Sequence, residues 1–334
     1  MEAVIKPAYQ VLYNSKDITV DISDSLSSLS YTDKIKAASD EISISIQDLA
    51  RKWMLDWFPA KGDKIKLLLG YPGEMLNCGT FQVDELSFTG PPDVVTIRAM
   101  AAPIGKDIRT KKSSAHENKT LKEIAEKIAT DHGLKLVGTI NDKFTINRKT
   151  QYRETDLNFL RRTAFDFGYI FSVRNDQLIF SSLPDLEATT SALEIHRNEI
   201  TPYSFKDSAT GNYKKVTVSY NDPVTNNIIS ATATSAIEGK KDTFKIFAKV
   251  DNVGQAKKMA ESILLLSSRT QTGRCTIKGN PKLVAGININ LIGFGRLSGK
   301  VQIEESTHII DSSGGYKTSF SFKKIGPVST NKWL

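Results

Sequence analysis

Gly79-Thr80-Phe81-Gln82-Val83-Asp84-Glu85 and Gly299-Lys300-Val301-Gln302-Ile303-Glu304-Glu305 follow one pattern: glycine, any residue, apolar, glutamine, apolar, acid, glutamate. Apolar residues at every second place are what a strand with one buried face requires, because successive side chains leave opposite sides of the backbone. Working outward, Gly62 precedes the first copy, with Ile65, Leu67 and Leu69 alternating after it. Gly286 precedes the second, with Ile287, Ile289 and Leu291. A turn follows each copy, Gly90-Pro91-Pro92 in one and Ser312-Ser313-Gly314-Gly315 in the other, and then one more alternating strand. The leading glycine stands 17 residues before the first copy and 13 before the second, so the loops differ in length. The pattern predicts a duplicated β-barrel, early and late in the chain. Phe81, Val83, Ile287, Ile289, Val301 and Ile303 are expected to fill the barrels or subunit contacts. Asn288, Asn290, Gln302 and Glu304 are expected to border solvent or a lumen.

The rest of the chain divides around these copies. Residues 1–105 read as strands, with Ile42-Ser43-Ile44-Ser45-Ile46 alternating at period two. Residues 106–183 read as a small α+β unit. Thr120-Leu121-Lys122-Glu123 is a capping box, followed by Ile124, Ala125, Ile128 and Ala129 at helical spacing. Gly133 is a natural stop, and His132 sits in the last turn, where a helix end favours positive charge. A second helix is expected from Asp156 to Phe167, then a hairpin turning at Asn175-Asp176. Residues 184–200 read as a linker. Residues 201–326 form the second strand-rich domain, with one helix from about Asn252 to Ser268, and 327–334 form a tail. Proline and glycine mark turns at Gly90, Pro91, Gly279, Pro281, Gly286 and Gly315.

Composition narrows the chemistry. The 334 residues are 40% hydrophobic and 25% charged, an ordinary globular balance. Two cysteines, Cys78 and Cys275, exclude a disulfide scaffold and fit a reducing compartment. No apolar run approaches the ~20 residues that span a bilayer, so no membrane anchoring is expected. Net charge is +8, spread as −4 over residues 1–105, +5 over 106–183 and +7 over 184–334. Such asymmetry suggests complementary surfaces between copies or partners. The basic residues are scattered in pairs, which suits solvated faces better than nucleic-acid recognition. The four histidines have no metal-ligand spacing, and neither a nucleophile elbow nor a phosphate loop occurs. Gly293-Phe294-Gly295-Arg296-Leu297-Ser298-Gly299 joins two strands and opens no helix, so it reads as a hairpin turn. No catalytic residue, metal site or cofactor is expected.

Two similar barrels per chain, carried by three chains, give six similar units around a ring. Such a ring presents near-sixfold symmetry at one end and threefold at the other, an adaptor between a six-membered tube and a three-membered needle. The chain resembles the phage late control D family, the baseplate hub proteins of contractile tails, which are similar to the first part of type VI secretion spike proteins. The matching stretches are Phe81 to Glu85 with Gly90-Pro91-Pro92 and Thr96 to Ala99, then Thr120 to Gly133, then Asp156 to Tyr169. Gly279-Asn280-Pro281-Lys282-Leu283-Val284-Ala285-Gly286 and His308 with Gly315 to Phe320 complete them. The resemblance implies a mainly β fold in which two tube-type β-barrels flank a small LysM-like α+β domain. It implies a homotrimer between the tail tube protein above and the spike protein below, with the tape measure protein as a further partner. DNA or an effector would cross it only in transit. It would assemble in the host bacterial cytoplasm and then reside in the virion baseplate or an extracellular tail-like particle. An alternative reading is a cell-wall protein that binds peptidoglycan through residues 106–183.

Overall fold

A computed structural model describes residues 6–35, 39–101, 110–141, 144–174, 177–208, 213–223, 225–235, 242–312 and 315–325. The expected boundary at residue 105, the turns at Asn175-Asp176 and Ser313-Gly314, and the tail 327–334 lie outside the described residues.

The early part runs β1 (Ala8–Tyr13), β2 (Lys16–Asp17), α1 (Thr19–Ser23), β3 (Leu26–Lys34), β4 (Glu41–Gln47), β5 (Lys64–Tyr71), β6 (Glu74–Thr89) and β7 (Val94–Ala101). The middle part runs β8 (Lys112–Lys119), α2 (Leu121–Asp131), β9 (Lys135–Val137), β10 (Ile146–Glu154), α3 (Asp156–Asp166), β11 (Tyr169–Arg174), β12 (Gln177–Ser182) and α4 (Leu183–Ala188). The late part runs β13 (Leu193–His196), β14 (Ile200–Asp207), β15 (Tyr213–Asn221), β16 (Ile228–Thr234), β17 (Asp242–Phe247), α5 (Val253–Ser267), β18 (Gln271–Lys278), β19 (Asn288–Ile292), β20 (Gly299–Asp311) and β21 (Gly315–Lys324). The fold is mainly β.

Early and late strands share one thirteen-stranded sheet, and its order repeats. The early path is β3-β4-β7-β6-β5-β1, and the late path is β14-β18-β21-β20-β19-β13. The two sequence copies lie in β6 and β20, each the middle of an antiparallel meander. They also share irregularities. Opposite β7, β6 carries one extra residue between Val83 and Glu85; opposite β21, β20 carries one between Ile303 and Glu305. The acid of the repeat, Asp84 or Glu304, is thus the additional residue of a β-bulge, which bends the strand at that point.

The leading glycines are equivalent as well. Gly62 N–H donates to Val83 O at 2.8 Å, and Val83 N–H to Asp63 O at 2.9 Å. Gly286 N–H donates to Ile303 O at 2.9 Å, and Ile303 N–H to Ile287 O at 3.0 Å. Both glycines have φ +95°, a conformation that side chains disfavour. One pairing departs from the repeat: β1 is antiparallel to β5, whereas β13 is parallel to β19.

Each unit has its own apolar core. Ile44, Leu67, Phe81, Val83 and Ile97 are buried in the early one, and Ile289, Val301, Ile303, Phe320 and Phe322 in the late one. The middle part packs Leu121, Ile124, Ile128, Phe159, Leu160 and Phe180 into a third core. Its helices start as the sequence dictates: Thr120 caps α2 in a full capping box, and Thr155 caps α3 by accepting from Asn158 N–H.

Two expectations are corrected here. Strands β15 and β16, read as part of the second barrel, instead form a separate three-stranded sheet with β17. α5 covers that sheet with Ala256, Met259 and Ala260, and Asn252 caps the helix. The 184–200 segment is not a bare linker. Ser182 caps α4, Pro184 sits in that helix's first turn, where a missing N–H costs nothing, and β13 joins the large sheet.

Ile303 is fully buried beside the late bulge. Ile303→Asp places an unpaired carboxylate there and is expected to destabilise the protein by about 3–5 kcal/mol. A thermal or urea midpoint within error of wild type contradicts this placement.

Candidate functional site

The two units meet along β20. One edge of this strand pairs with β21 from Val301 to Asp311, while the other edge changes partner. Gly299–Gln302 faces β19, and Glu305–Asp311 faces β3, with His308 opposite Tyr31 and Glu305 opposite Lys34. The change falls at Glu304, the bulge residue, whose carbonyl accepts from Ile35 N–H at 2.9 Å. The fully buried Asp33 carboxylate accepts from Ala285 N–H at 2.9 Å, so the chain just before Gly286 is tied to β3.

A buried polar group completes the junction. His308 Nε2 lies 2.9 Å from Leu283 O, and its Nδ1 lies 2.8 Å from Tyr316 Oη. The ring therefore donates from Nε2 and accepts at Nδ1, and it stacks on Tyr31 at 6.0 Å between centroids. Ser306 Oγ donates to the same Leu283 carbonyl at 2.6 Å. Burial pushes the imidazole down to about 4, against the smaller opposing effect of the Leu283 hydrogen bond. Ser306 and His308 are fully buried, so this Ser–His pair offers no face to a substrate. It locks strand to loop.

Gln302 and Asn288, expected at a solvent or lumen face, are buried inside the chain. The reason is the C-terminal end of α4 and its cap Thr189, whose carbonyls need donors. Asn288 Nδ2 donates to Leu186 O at 2.6 Å and to Thr189 Oγ1 at 2.8 Å. Gln302 Oε1 accepts from Arg269 Nη1 at 3.0 Å, and Arg269 Nε donates to Glu187 Oε1 at 2.8 Å. Asn290 and Glu304 are half-buried: Asn290 accepts from Ser191 Oγ at 2.9 Å, and Glu304 lies 3.4 Å from Lys323 Nζ. Phe81, Val83, Ile289, Val301 and Ile303 sit in the cores of their units, and Ile287 is half-buried at the rim. Gly90 and Pro91 occupy the turn between β6 and β7; Gly279, Pro281 and Gly286 lie between β18 and β19, and Gly315 begins β21. The Tyr316 ring packs against Gly279 so closely that an added Cβ would meet it at 2.0 Å.

The middle module is held by a second buried knot. Asp156, the first residue of α3, is fully buried. Burial would raise its carboxyl, but hydrogen bonds from Lys112 at 2.7 Å, His132 at 2.6 Å and Gln151 at 2.9 Å outweigh that and hold it below the usual range. His132 is at the C-terminal cap of α2, as its position in the sequence suggests, but its ring serves this knot. Phe159 is core, whereas Phe165 and Tyr152 are exposed. Phe165 lines a cavity of about 530 Å³ with Arg161, Tyr169, Leu183 and Leu266. Another exposed apolar group, Leu49, Leu55, Trp57 and Phe58, follows β4 and was not singled out in the sequence. Among the described residues no three His, Cys, Asp or Glu side chains converge as a metal site, and no helix is long and apolar enough to cross a membrane.

His308 sets a testable pH dependence. A histidine whose folded-state affinity for protons is depressed contributes stability at neutral pH that is lost as pH falls below 6.5 towards 4, because the unfolded chain takes up the proton first. The loss is expected to total about 3 kcal/mol. His116, also lowered by burial with Lys127 and Lys112 nearby, adds to it in the same direction. His308→Gln, which can still donate and accept, is expected to remove the larger part of the slope in urea denaturation between pH 6.5 and 4; an unchanged slope refutes the assignment.

No family model matches the chain. The probable baseplate hub protein of Escherichia phage 186 is 30% identical over 224 residues, covering 65% of this chain and 56% of that protein. The probable baseplate hub protein of Escherichia phage P2 is 33% identical over 180 residues, covering 53% and 46%. The chain thus spans about half the length of the curated relatives it matches. In fold it is similar to a 43 kDa tail protein of prophage MuSo2 from Shewanella oneidensis, with TM-score 0.70, 16% identity, and 95% and 98% of the two chains covered. It is also similar to an E. coli type VI secretion component described as structurally similar to bacteriophage T4 tail proteins, with TM-score 0.58, 12% identity, and 93% and 76% covered. In sequence, then, the relatives of this chain are phage baseplate hub proteins, and its fold is one shared by phage tail and type VI secretion proteins.

Proposed function

We propose that the chain is the structural hub of a contractile phage tail or tail-like injection device, with no catalytic role of its own. Three copies close into a ring that receives a hexameric tail tube on one side and a trimeric spike on the other. The observation that carries this reading is the duplicated six-strand path, with its bulge and its leading glycine in the same places in both copies. Duplication gives one chain two similar lateral surfaces, so three chains can meet a sixfold object at six similar positions. The relatives' names and the shared fold support the same reading.

In this reading the early and late paths are the two tube-type barrels, and the module between them is the LysM-like domain, with boundaries near residues 105, 183 and 200. The tail tube, spike and tape measure proteins are the partners, and DNA or an effector passes through without a dedicated binding site. Assembly takes place in the bacterial host and the finished hub resides in the tail baseplate. Asn290 and Glu304 remain the lumen candidates.

Native mass measurement and negative-stain imaging test the ring directly, with the chain alone and co-expressed with tube and spike proteins from neighbouring genes. Three copies with a six-lobed rim are expected. A single copy under both conditions, with no co-purification, contradicts the proposal.

Exposed Tyr152 and Phe165 favour a second reading, glycan binding by the middle module, because sugars stack on exposed aromatic rings. The hub reading expects little or no retention of the chain on purified peptidoglycan. Retention that Phe165→Ala and Tyr152→Ala together abolish would favour the wall-binding alternative.

A further inference from the structure

We propose that the cavity beneath the β4–β5 connection is a binding site for an arginine side chain, presented between apolar residues by a protein other than this one. The site goes beyond the hub reading and does not depend on the ring.

The two copies of the duplication differ at this place. β4 and β5 stand in the early path where β18 and β19 stand in the late one. Nine residues, 279–287, lie between β18 and β19, whereas sixteen, 48–63, lie between β4 and β5. The shorter connection suffices to join the two strands, so the longer one carries residues that joining does not need. They are held in one shape. The buried Asp48 carboxylate accepts from Trp53 N–H at 3.2 Å and from Met54 N–H at 3.1 Å, and Asp48 N–H donates to Asp93 O at 2.8 Å.

The cavity, about 260 Å³, is walled by rings. Trp53 and Trp57 meet edge to face, with centroids 5.7 Å apart and planes at 88°, so they form two sides of a corner. Tyr13 and Phe58 extend the wall. Three carboxylates line the same space, Asp21, Asp56 and Asp63, against one lysine, Lys16. Tyr13 donates its hydroxyl to Asp63, and that hydrogen bond holds the carboxyl below its usual range. The Asp21 and Asp56 carboxylates have no ion-pair partner among the described residues.

Ring faces and carboxylates together select an organic cation, since the ring quadrupole attracts positive charge and the carboxylates balance it. Trp57 already shows the affinity: Lys52 Nζ, which does not line the cavity, sits 5.2 Å from its ring centroid. A guanidinium suits the corner better than an ammonium, because it is planar, stacks on a ring and bonds a carboxylate through two N–H groups at once. The rim identifies the source. Leu49 is 77% exposed, Leu55 68% and Phe58 58%. A free cation would leave them in water, whereas a peptide with apolar residues beside its arginine covers them. Among the described residues the exposed arginines of this chain are engaged within it, as are Arg98 with Glu85, Arg148 with Glu117, Arg197 with Tyr203 and Arg274 with Glu305. The occupant is therefore asked of another protein.

Fluorescence titration of the full chain tests the site. Trp53 and Trp57 report on it once the third tryptophan is removed by Trp333→Phe. The probe is a blocked leucine–arginine–leucine peptide, compared with its citrulline counterpart, which keeps the shape and loses the charge. Saturable quenching is expected, at least about tenfold weaker with citrulline. Asp21→Asn with Asp56→Asn is expected to cause the same loss at an unchanged thermal midpoint, since both side chains are exposed. No saturable quenching, equal binding of the two peptides, or full binding by the double variant overturns the proposal. Tetramethylammonium binding as tightly as the arginine peptide also overturns it, because the rim then contributes nothing. Sedimentation of the chain alone is the last arm. Self-association that the double variant abolishes would give the pocket to a second copy and overturn the partner named here.

Discussion

A β-strand has two hydrogen-bonding edges and no more, and β20 needs three neighbours. It keeps β21 along one edge and divides the other between β19 and β3, changing partner at the Glu304 bulge. The extra residue bends the strand and re-aims the ladder, which a regular strand cannot do. Gly286 supports the bend, since its amide bonds the Ile303 carbonyl from a left-handed conformation. Because the bend lies within one continuous strand, the late unit cannot shift without dragging the early sheet with it. The first and last thirds, about two hundred residues apart in sequence, are thereby one piece of sheet.

Buried polar groups cluster where this arrangement would otherwise leave backbone groups unpaired. His308 and Ser306 both donate to the Leu283 carbonyl, Asp33 accepts the Ala285 amide, and Asn288 gathers the Leu186 and Thr189 carbonyls. These carbonyls and amides belong to the β18–β19 loop and to the end of α4, where no ladder serves them. Side chains that supply the missing partner fix the loop in one place, because any displaced arrangement would bury an unsatisfied group. Asp156 acts in the same way within the middle module, joining β8, α2, β10 and α3 through one carboxylate.

Period-two alternation and glycine placement made the repeated meanders legible, because each copy keeps one apolar face and the same turn glycine. The two capped helices of the middle module were legible for the equally local reason that Thr120 and Glu123 satisfy each other's backbone. What escaped was set by distant neighbours. β8, Lys112–Lys119, carries charges at both ends and just one buried residue, His116, so no alternation betrays it. β13 is four residues long and is held by its pairing with β19 and by the burial of Ile195 in the late core. Gln302 and Asn288 alternate with apolar residues as solvent-facing ones would, and only the α4 segment, 102 residues before Asn288 at Leu186, covers them. The separate β15–β17 sheet shares the alternation of the main sheet, and a strand's period does not say which sheet it joins.

The divergence between the copies also has a physical reading. An open edge is a hazard, because its backbone groups will pair with any strand of suitable shape. β14 carries Pro202, which offers no amide, a bulge after Ile200, and the charges of Lys206 and Asp207. Its counterpart β3, covered within the chain by β20, has serines and threonine at Ser28, Ser30 and Thr32, where no such protection is required. The exposed half of β6 is likewise flanked by Glu85 on one side and by Gly90-Pro91-Pro92 on the other. Such features narrow the set of strands that could pair with these edges, since proline, bulge and charge each remove a register that a regular strand would use.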